Sequence, residues 1–215
     1  METRGHSLTR LALRAKGVGK DFNRRPVFRD LTFEVSSGEA LAVTGKNGAG
    51  KSTLLKILSG LLTPTKGRVT YHADGSITDL DVLRPRMGFV SPYLQLYDEF
   101  SASENLDVLS RIRSTDHVSQ PKVESLFRIF NLWHRRHDDV RTFSSGMKQR
   151  LKYILALAHD PLVLFLDEPT ANLDEDGADA VRTIALEVQQ SSILVVATND
   201  EREAAWCGKR IHVGP

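Results

Sequence analysis

Nine consecutive residues, Gly45-Lys46-Asn47-Gly48-Ala49-Gly50-Lys51-Ser52-Thr53, have the types and spacing to hold a polyphosphate. They follow an apolar run, Ala40 to Val43, and lead at once into Leu54, Ile57, Leu58 and Leu61 at helical spacing. The stretch therefore reads strand, tight loop, helix. Its glycines let the backbone turn until successive N–H groups face one concavity at the positive end of the helix. In that setting G-x-x-x-x-G-K-[ST] places Lys51 to reach the terminal phosphates and the Ser52 hydroxyl to ligate Mg²⁺. A nucleoside triphosphate is the expected ligand.

A second stretch, Leu162-Val163-Leu164-Phe165-Leu166-Asp167-Glu168, is an apolar strand ending in two carboxylates. At the C-terminal edge of a strand beside a phosphate loop, the first carboxylate is placed to hold Mg²⁺ through its water shell. The second is placed to polarise an attacking water. An isolated Asp-Glu pair is more often a solvated strand end, and the apolar run and the phosphate loop give this one its chemistry. Between the two lies Phe143-Ser144-Ser145-Gly146-Met147-Lys148-Gln149-Arg150, which opens a helix with Leu151, Ile154, Leu155 and Ala158 on one face. It is a serine-capped helix start, and its unpaired N–H groups and helix dipole also suit an anion.

These residues need a parallel sheet to bring them together. Leu162 to Leu166 and Ile193 to Ala197 are fully apolar runs of the kind that fill buried parallel strands, and Ala178 to Gln189 between them is an amphipathic helix. Arg210 to Val213 is expected to close the sheet. Upstream, Leu11 to Ala15, Val27 to Val35 and Ala40 to Val43 look like short, partly antiparallel strands. Lys16-Gly17-Val18-Gly19-Lys20 lacks the flanking strand and helix of a phosphate loop and reads as a turn. Beyond the first helix, Arg68 to His72 and Met87 to Val90 read as strands. Ser101-x-x-Glu104 forms a capping box ahead of Leu106, Leu109 and Ile112, and Pro121 to Phe130 repeats the helical pattern. Two helices without an intervening strand predict a helical subdomain, about 91–150, inserted into a core of about 1–90 and 151–215.

Composition narrows the classes. The 215 residues fit one domain with a built-in subdomain, or at most two small domains, and 29 Lys and Arg against 27 Asp and Glu leave too balanced a surface to argue for a nucleic-acid or membrane-surface binder. The single cysteine, Cys207, allows no internal disulfide, which fits a reduced compartment. Arg4, Arg10 and Arg14 surround an apolar stretch, Leu11 to Leu13, too short for a signal peptide. The longest apolar runs are far below the ~20 residues of a membrane helix. His134-x-x-His137, flanked by Arg135 and Arg136, reads as a basic loop rather than a metal pair, and Trp206-Cys207 as packing of a terminal helix.

The order of phosphate loop, SSGMKQR and strand-Asp-Glu resembles the ATP-binding cassette (ABC) ATPases over nearly the whole chain, down to the run DEPTANLD. The resemblance implies an α/β P-loop fold, with a mostly parallel core sheet, an N-terminal antiparallel β subdomain and an inserted helical subdomain. It implies ATP and Mg²⁺ as cofactors, Glu168 as the base, and Phe22 as the aromatic that stacks on adenine. By the same resemblance Ser144, Ser145, Gly146 and Met147 act in trans on a second cassette in a head-to-tail dimer, here expected to be a homodimer. Asp174 belongs to the loop that communicates across it.

The family signature is usually Leu-Ser-Gly-Gly-Gln, so this chain departs at Phe143, Ser145 and Met147. Two other departures bear on rate. The Mg²⁺-sensing glutamine falls at Pro92, with Gln95 able to substitute only if the loop refolds, and the switch histidine is Asn199, which can donate a hydrogen bond but carries no charge. Hydrolysis is expected to be retained but slow.

The family also implies an energy subunit at the cytoplasmic face of a membrane, acting through an integral membrane permease. The exposed aromatics expected at Tyr93, Tyr97 and Phe100 suit either that contact or core packing. Among cassettes, the small ones related to the haem-exporter ATPase of cytochrome c maturation look most similar. A soluble ABC ATPase of translation or DNA repair is the alternative, but those carry two cassettes or a long coiled coil. A GTPase would show Asn-Lys-x-Asp, which is absent.

Overall fold

The computed structural model describes residues 10–113 and 118–214. Arg4 and the question of a leader fall outside them. In chain order the elements are β1 (Leu11–Phe22), β2 (Arg25–Ser36), β3 (Ala40–Thr44), α1 (Lys51–Leu58), β4 (Lys66–Ala73), β5 (Ser76–Thr78), α2 (Leu80–Leu83) and β6 (Met87–Val90). Then follow α3 (Ala102–Ile112), α4 (Gln120–Ile129), α5 (Ser145–Leu157), β7 (Val163–Asp167), α6 (Glu175–Gln189), β8 (Ile193–Thr198), α7 (Glu201–Ala204) and β9 (Lys209–His212). Two sheets form: an antiparallel one in the order β2-β1-β4-β5, and an all-parallel one in the order β6-β7-β8-β3-β9.

The continuous apolar runs of β3, β7 and β8 follow from burial on both faces. Alternate residues point to opposite sides. Ala40, Leu164, Leu166, Leu194 and Val196 enter a core with α5 and α6 and with Leu126, Phe127 and Phe130 of the helical segment. Leu41, Val43, Phe165, Val195 and Ala197 enter a second core with α1 and the antiparallel sheet.

Two expectations are corrected. Lys16 to Lys20 is not a turn: β1 runs unbroken through it, and register shifts after Ala15 and Val18 mark a bulged strand rather than a reversal. Leu61 does not share the buried face of α1, because the helix ends at Leu58 and Leu61 is 63% exposed. The capping box at Ser101 forms as expected, with Glu104 N–H donating to Ser101 Oγ at 3.2 Å and Ser101 N–H to the Glu104 carboxylate at 2.7 Å.

One buried histidine joins three elements. Arg113, just past α3, donates to His159 Nδ1 at 2.7 Å, and the opposite ring nitrogen, Nε2, lies 3.3 Å from the carbonyl of Met87 in β6. Because arginine only donates, Nδ1 must accept, so the proton sits on Nε2. Burial, and then the Arg113 charge, push the His159 pKa from its ordinary 6.5 down to about 3.

Between those two values the unfolded chain holds a proton that the native state lacks, so stability falls as pH drops through 6.5 toward 3 and is fully present above 6.5. The slope approaches about 1.4 kcal/mol per pH unit. Urea denaturation between pH 6.5 and 5, above most carboxylate titration, should show that slope in the wild type and a flatter one in His159→Gln. Equal slopes would contradict this account of the ring.

Candidate functional site

The site begins where β3 ends. Gly45 has φ 153°, and a Cβ there would stand 2.3 Å from the carbonyl oxygen of Val213. Gly50, left-handed at φ 101°, is the N-cap of α1, and its Cβ would meet Val27 Cγ1 at 2.3 Å. No side chain fits either position without displacing its neighbours, so the loop closes tightly over the first turn of α1. Lys51 opens that turn and is 5% exposed. Its Nζ donates to the Gly45 and Lys46 carbonyls at 3.1 and 3.4 Å and lies 3.4 Å from Glu168 Oε1.

Parallel pairing of β7 with β8 and β6 sets the carboxylates beside this loop. Ser52 Oγ donates to Asp167 Oδ1 at 3.0 Å. The other carboxylate oxygen, Oδ2, accepts from Ser91 Oγ at 3.3 Å, just after β6. Glu168 follows with φ 49°, its N–H donating to Ala197 O at 2.8 Å. This left-handed turn is where the strand leaves the sheet and the side chain faces the loop. Burial raises the Glu168 pKa above the ordinary carboxylate value, Lys51 opposes the rise, and Glu203 and Asp167 add to it.

Asn47, Gly48, Gly50, Lys51, Ser52, Thr53, Glu168, Asn199 and Tyr93 line one cavity of ≈ 460 Å³. Across it Asn199 Nδ2 donates to Asn47 Oδ1 at 2.8 Å. Lys46 and Ala49 complete the loop, Ala49 N–H closing on Lys46 O at 3.0 Å.

Other residues singled out in the sequence lie elsewhere. Phe22, at the end of β1, is 48% exposed with Lys20 Nζ 5.0 Å from its ring centroid, and is not among the cavity's lining residues. Gln95 is exposed and likewise outside that lining. Ser144 caps α5, its Oγ accepting the Met147 N–H at 3.2 Å, and both Ser144 and Ser145 are exposed and outside that lining. Gly146 packs close to the Asn172 carbonyl, which a Cβ would approach to 3.0 Å. Arg150 pairs with Asp174, which caps α6 by accepting the Gly177 N–H at 3.0 Å.

Three polar residues at the site carry no local sequence signal. Ser91 sits on Asp167. Lys152, 7% exposed on α5, donates to the carbonyls of Ser91 and Pro92 at 3.1 and 2.8 Å. Glu203, 4% exposed, accepts from the N–H of Thr170 at 3.0 Å and from the hydroxyls of Thr170 and Thr198. It thereby fastens the loop after Glu168 to the strand end before Asn199.

Hydroxyl, paired carboxylates, ammonium and a glycine-formed concavity on one rim suit a metal-bound polyphosphate and its hydrolysis. Comparison with known proteins agrees on ATP as the nucleotide. The family described as ABC transporter matches residues 28–171. The lipoprotein-releasing system ATP-binding protein LolD of Hydrogenovibrio crunogenus is 36% identical over 207 residues, covering 91% of this chain and 90% of its own. The Nod factor export ATP-binding protein I of Rhizobium johnstonii is 34% identical over 175 residues, 81% of this chain, which spans only 56% of that relative.

Among solved structures, an ATP-binding subunit of an ABC transporter superposes with a TM-score of 0.82 at 26% identity, covering 94% of this chain and 85% of that one. A dimeric cassette in a post-hydrolysis state bound to ADP and phosphate shares the fold with a TM-score of 0.81 at 22% identity, covering 94% of each chain. No helix among the described residues is long and apolar enough to cross a membrane. On the family match and these relatives, the chain belongs to the ABC transporter family as an ATP-binding subunit.

Proposed function

We propose that this subunit holds Mg²⁺·ATP on the Gly45–Thr53 loop, hydrolyses it with Glu168 as the base, and works as a head-to-tail pair of identical chains driving separate membrane subunits. The observation that carries the reading is the convergence of Ser52 Oγ on Asp167 at 3.0 Å with Glu168 beside Lys51 at 3.4 Å. The donors around Asp167 are all hard oxygens, those of Ser52, Ser91 and the carboxylate itself, and they fit Mg²⁺. When bound, the ion would neutralise charge on the phosphate oxygens.

The residues of the chain supply the rest. Lys51 offers an ammonium already seated against the loop, and the raised Glu168 pKa brings that carboxyl closer to the working range of a general base. Asn199 lines the same cavity and offers an amide N–H to the γ-phosphate or the water. The exposed start of α5 is not among the residues that line this chain's own cavity, which suits it to an anion held by a second copy. Tyr93, Tyr97 and Phe100, at 79%, 47% and 38% exposed, give a surface for a membrane subunit at its cytoplasmic face.

Replacing Asn199 with histidine, which can carry charge, is expected to raise the steady-state ATPase rate about tenfold, or ~1.4 kcal/mol of barrier. An unchanged rate would remove Asn199 from the hydrolytic step. Affinity purification from gently solubilised membranes of the host should recover a multi-span membrane protein in fixed ratio. Recovery with soluble partners alone would overturn the transport reading.

A further inference from the structure

The loop after β6 is held from beneath by α5. Lys152 is an ammonium buried to 7% exposure, and its hydrogen bonds go to two backbone carbonyls, Ser91 O at 3.1 Å and Pro92 O at 2.8 Å. One turn earlier on α5, Lys148 pairs with Asp98 at 2.7 Å, near the far end of the same loop. Burying an ammonium on neutral acceptors is costly, and burial together with the Lys148 charge holds its pKa below the ordinary lysine range. Hydrophobic packing alone would be met by a leucine or methionine there.

What the cation achieves is visible one residue away. Ser91 Oγ accepts the Tyr93 N–H at 3.3 Å and donates to Asp167 Oδ2 at 3.3 Å, while Asp167 Oδ1 accepts from Ser52. The carboxylate is thus gripped on one side by the phosphate loop and on the other by a hydroxyl whose own backbone is pinned by Lys152. In this chain Pro92 brings no side-chain donor or acceptor to the loop, so the adjoining backbone has to be fixed by some other group.

We propose that Lys152 is a positioning residue for the metal side of the nucleotide site: it fixes the Ser91–Pro92 backbone so that Ser91 Oγ orients Asp167 toward the ion. The inference rests on the Mg²⁺·ATP reading above. It concerns affinity for the ion and not the chemistry of the base, so hydrolysis rate is not its readout.

The test is equilibrium binding of a fluorescent ATP analogue to the full chain, titrated with Mg²⁺ and repeated in EDTA. In K152M the Mg²⁺ concentration for half-maximal enhancement should rise about tenfold, while affinity in EDTA stays within about twofold of wild type. S91A should show the same split. Because the lysine acts through the serine, K152M/S91A should be no worse than the weaker single variant, whereas two independent structural losses would multiply.

K152Q keeps N–H donors for both carbonyls without the charge; it should retain most of the Mg²⁺ response, and it replaces K152M in the cycle if that variant does not fold. Multiplying effects, or a K152M response equal to wild type, overturn the inference and leave the site reading standing. A wild type whose ATP binding ignores Mg²⁺ overturns the site reading itself.

Discussion

Glu168→Gln is expected to lower kcat for ATP hydrolysis by about 10²–10⁴-fold, the usual contribution of a positioned general base, with ATP affinity little changed. Glutamine keeps the size and hydrogen-bonding reach of the side chain but removes the proton acceptor. The backbone of Glu168 should not move, because its φ of 49° and its N–H bond to Ala197 do not depend on the carboxylate. Loss of turnover with retained binding should also leave the nucleotide unspent, so the variant is expected to elute as an ATP-dependent dimer in size-exclusion chromatography. A rate within tenfold of wild type would assign the base elsewhere. The wild-type profile carries its own mark: because burial raises the Glu168 pKa, kcat/KM should fall on the acid side at a higher pH than an ordinary glutamate would give.

Lys51→Met should act on the other half of the site. Removing an ammonium that makes charge-assisted hydrogen bonds costs about 1.5–3 kcal/mol. ATP affinity measured by fluorescence titration should therefore fall by roughly 10–150-fold. A second effect distinguishes this variant from a generally damaged loop. Lys51 lies 3.4 Å from Glu168 and holds its pKa down against the effect of burial. Without it, the acid limb of residual activity should move to still higher pH. Weak binding with an unmoved acid limb would mean that the Lys51–Glu168 pair has no electrostatic role in turnover.

How much of this was legible in the sequence depends on whether the signal was local. The phosphate loop, the Asp167–Glu168 strand end and the capped start of α5 each fit within a dozen residues, where spacing and periodicity speak directly. The parallel sheet was readable because five apolar residues in a row are hard to accommodate in a strand with one wet face. β1 differs from the expected turn because a bulged strand and a turn share a glycine signal, with Gly17 at φ 60° inside the strand. Ser91 meets Asp167 across 76 positions and Lys152 meets Ser91 across 61, distances over which no pattern operates.

Lys152 and Glu203 also mislead by type. A lysine in a helix and a glutamate near a helix start both read as solvated, and only the fold shows them buried. Phe22 stands at an exposed strand end beyond the phosphate cavity, a position compatible with the expected adenine contact.

The order β6-β7-β8-β3-β9 has a consequence for how the molecule comes into being. β3, the strand that presents the phosphate loop, is flanked on both sides by strands far downstream of it, β8 and β9. On the ribosome β3 emerges about 150 residues ahead of its first neighbour, β8. At about 5–20 residues per second that interval is on the order of ten seconds. Throughout it both hydrogen-bonding edges of Ala40–Thr44 are unpaired. The sheet position that presents the phosphate loop is therefore completed only once β8 and β9 have been made.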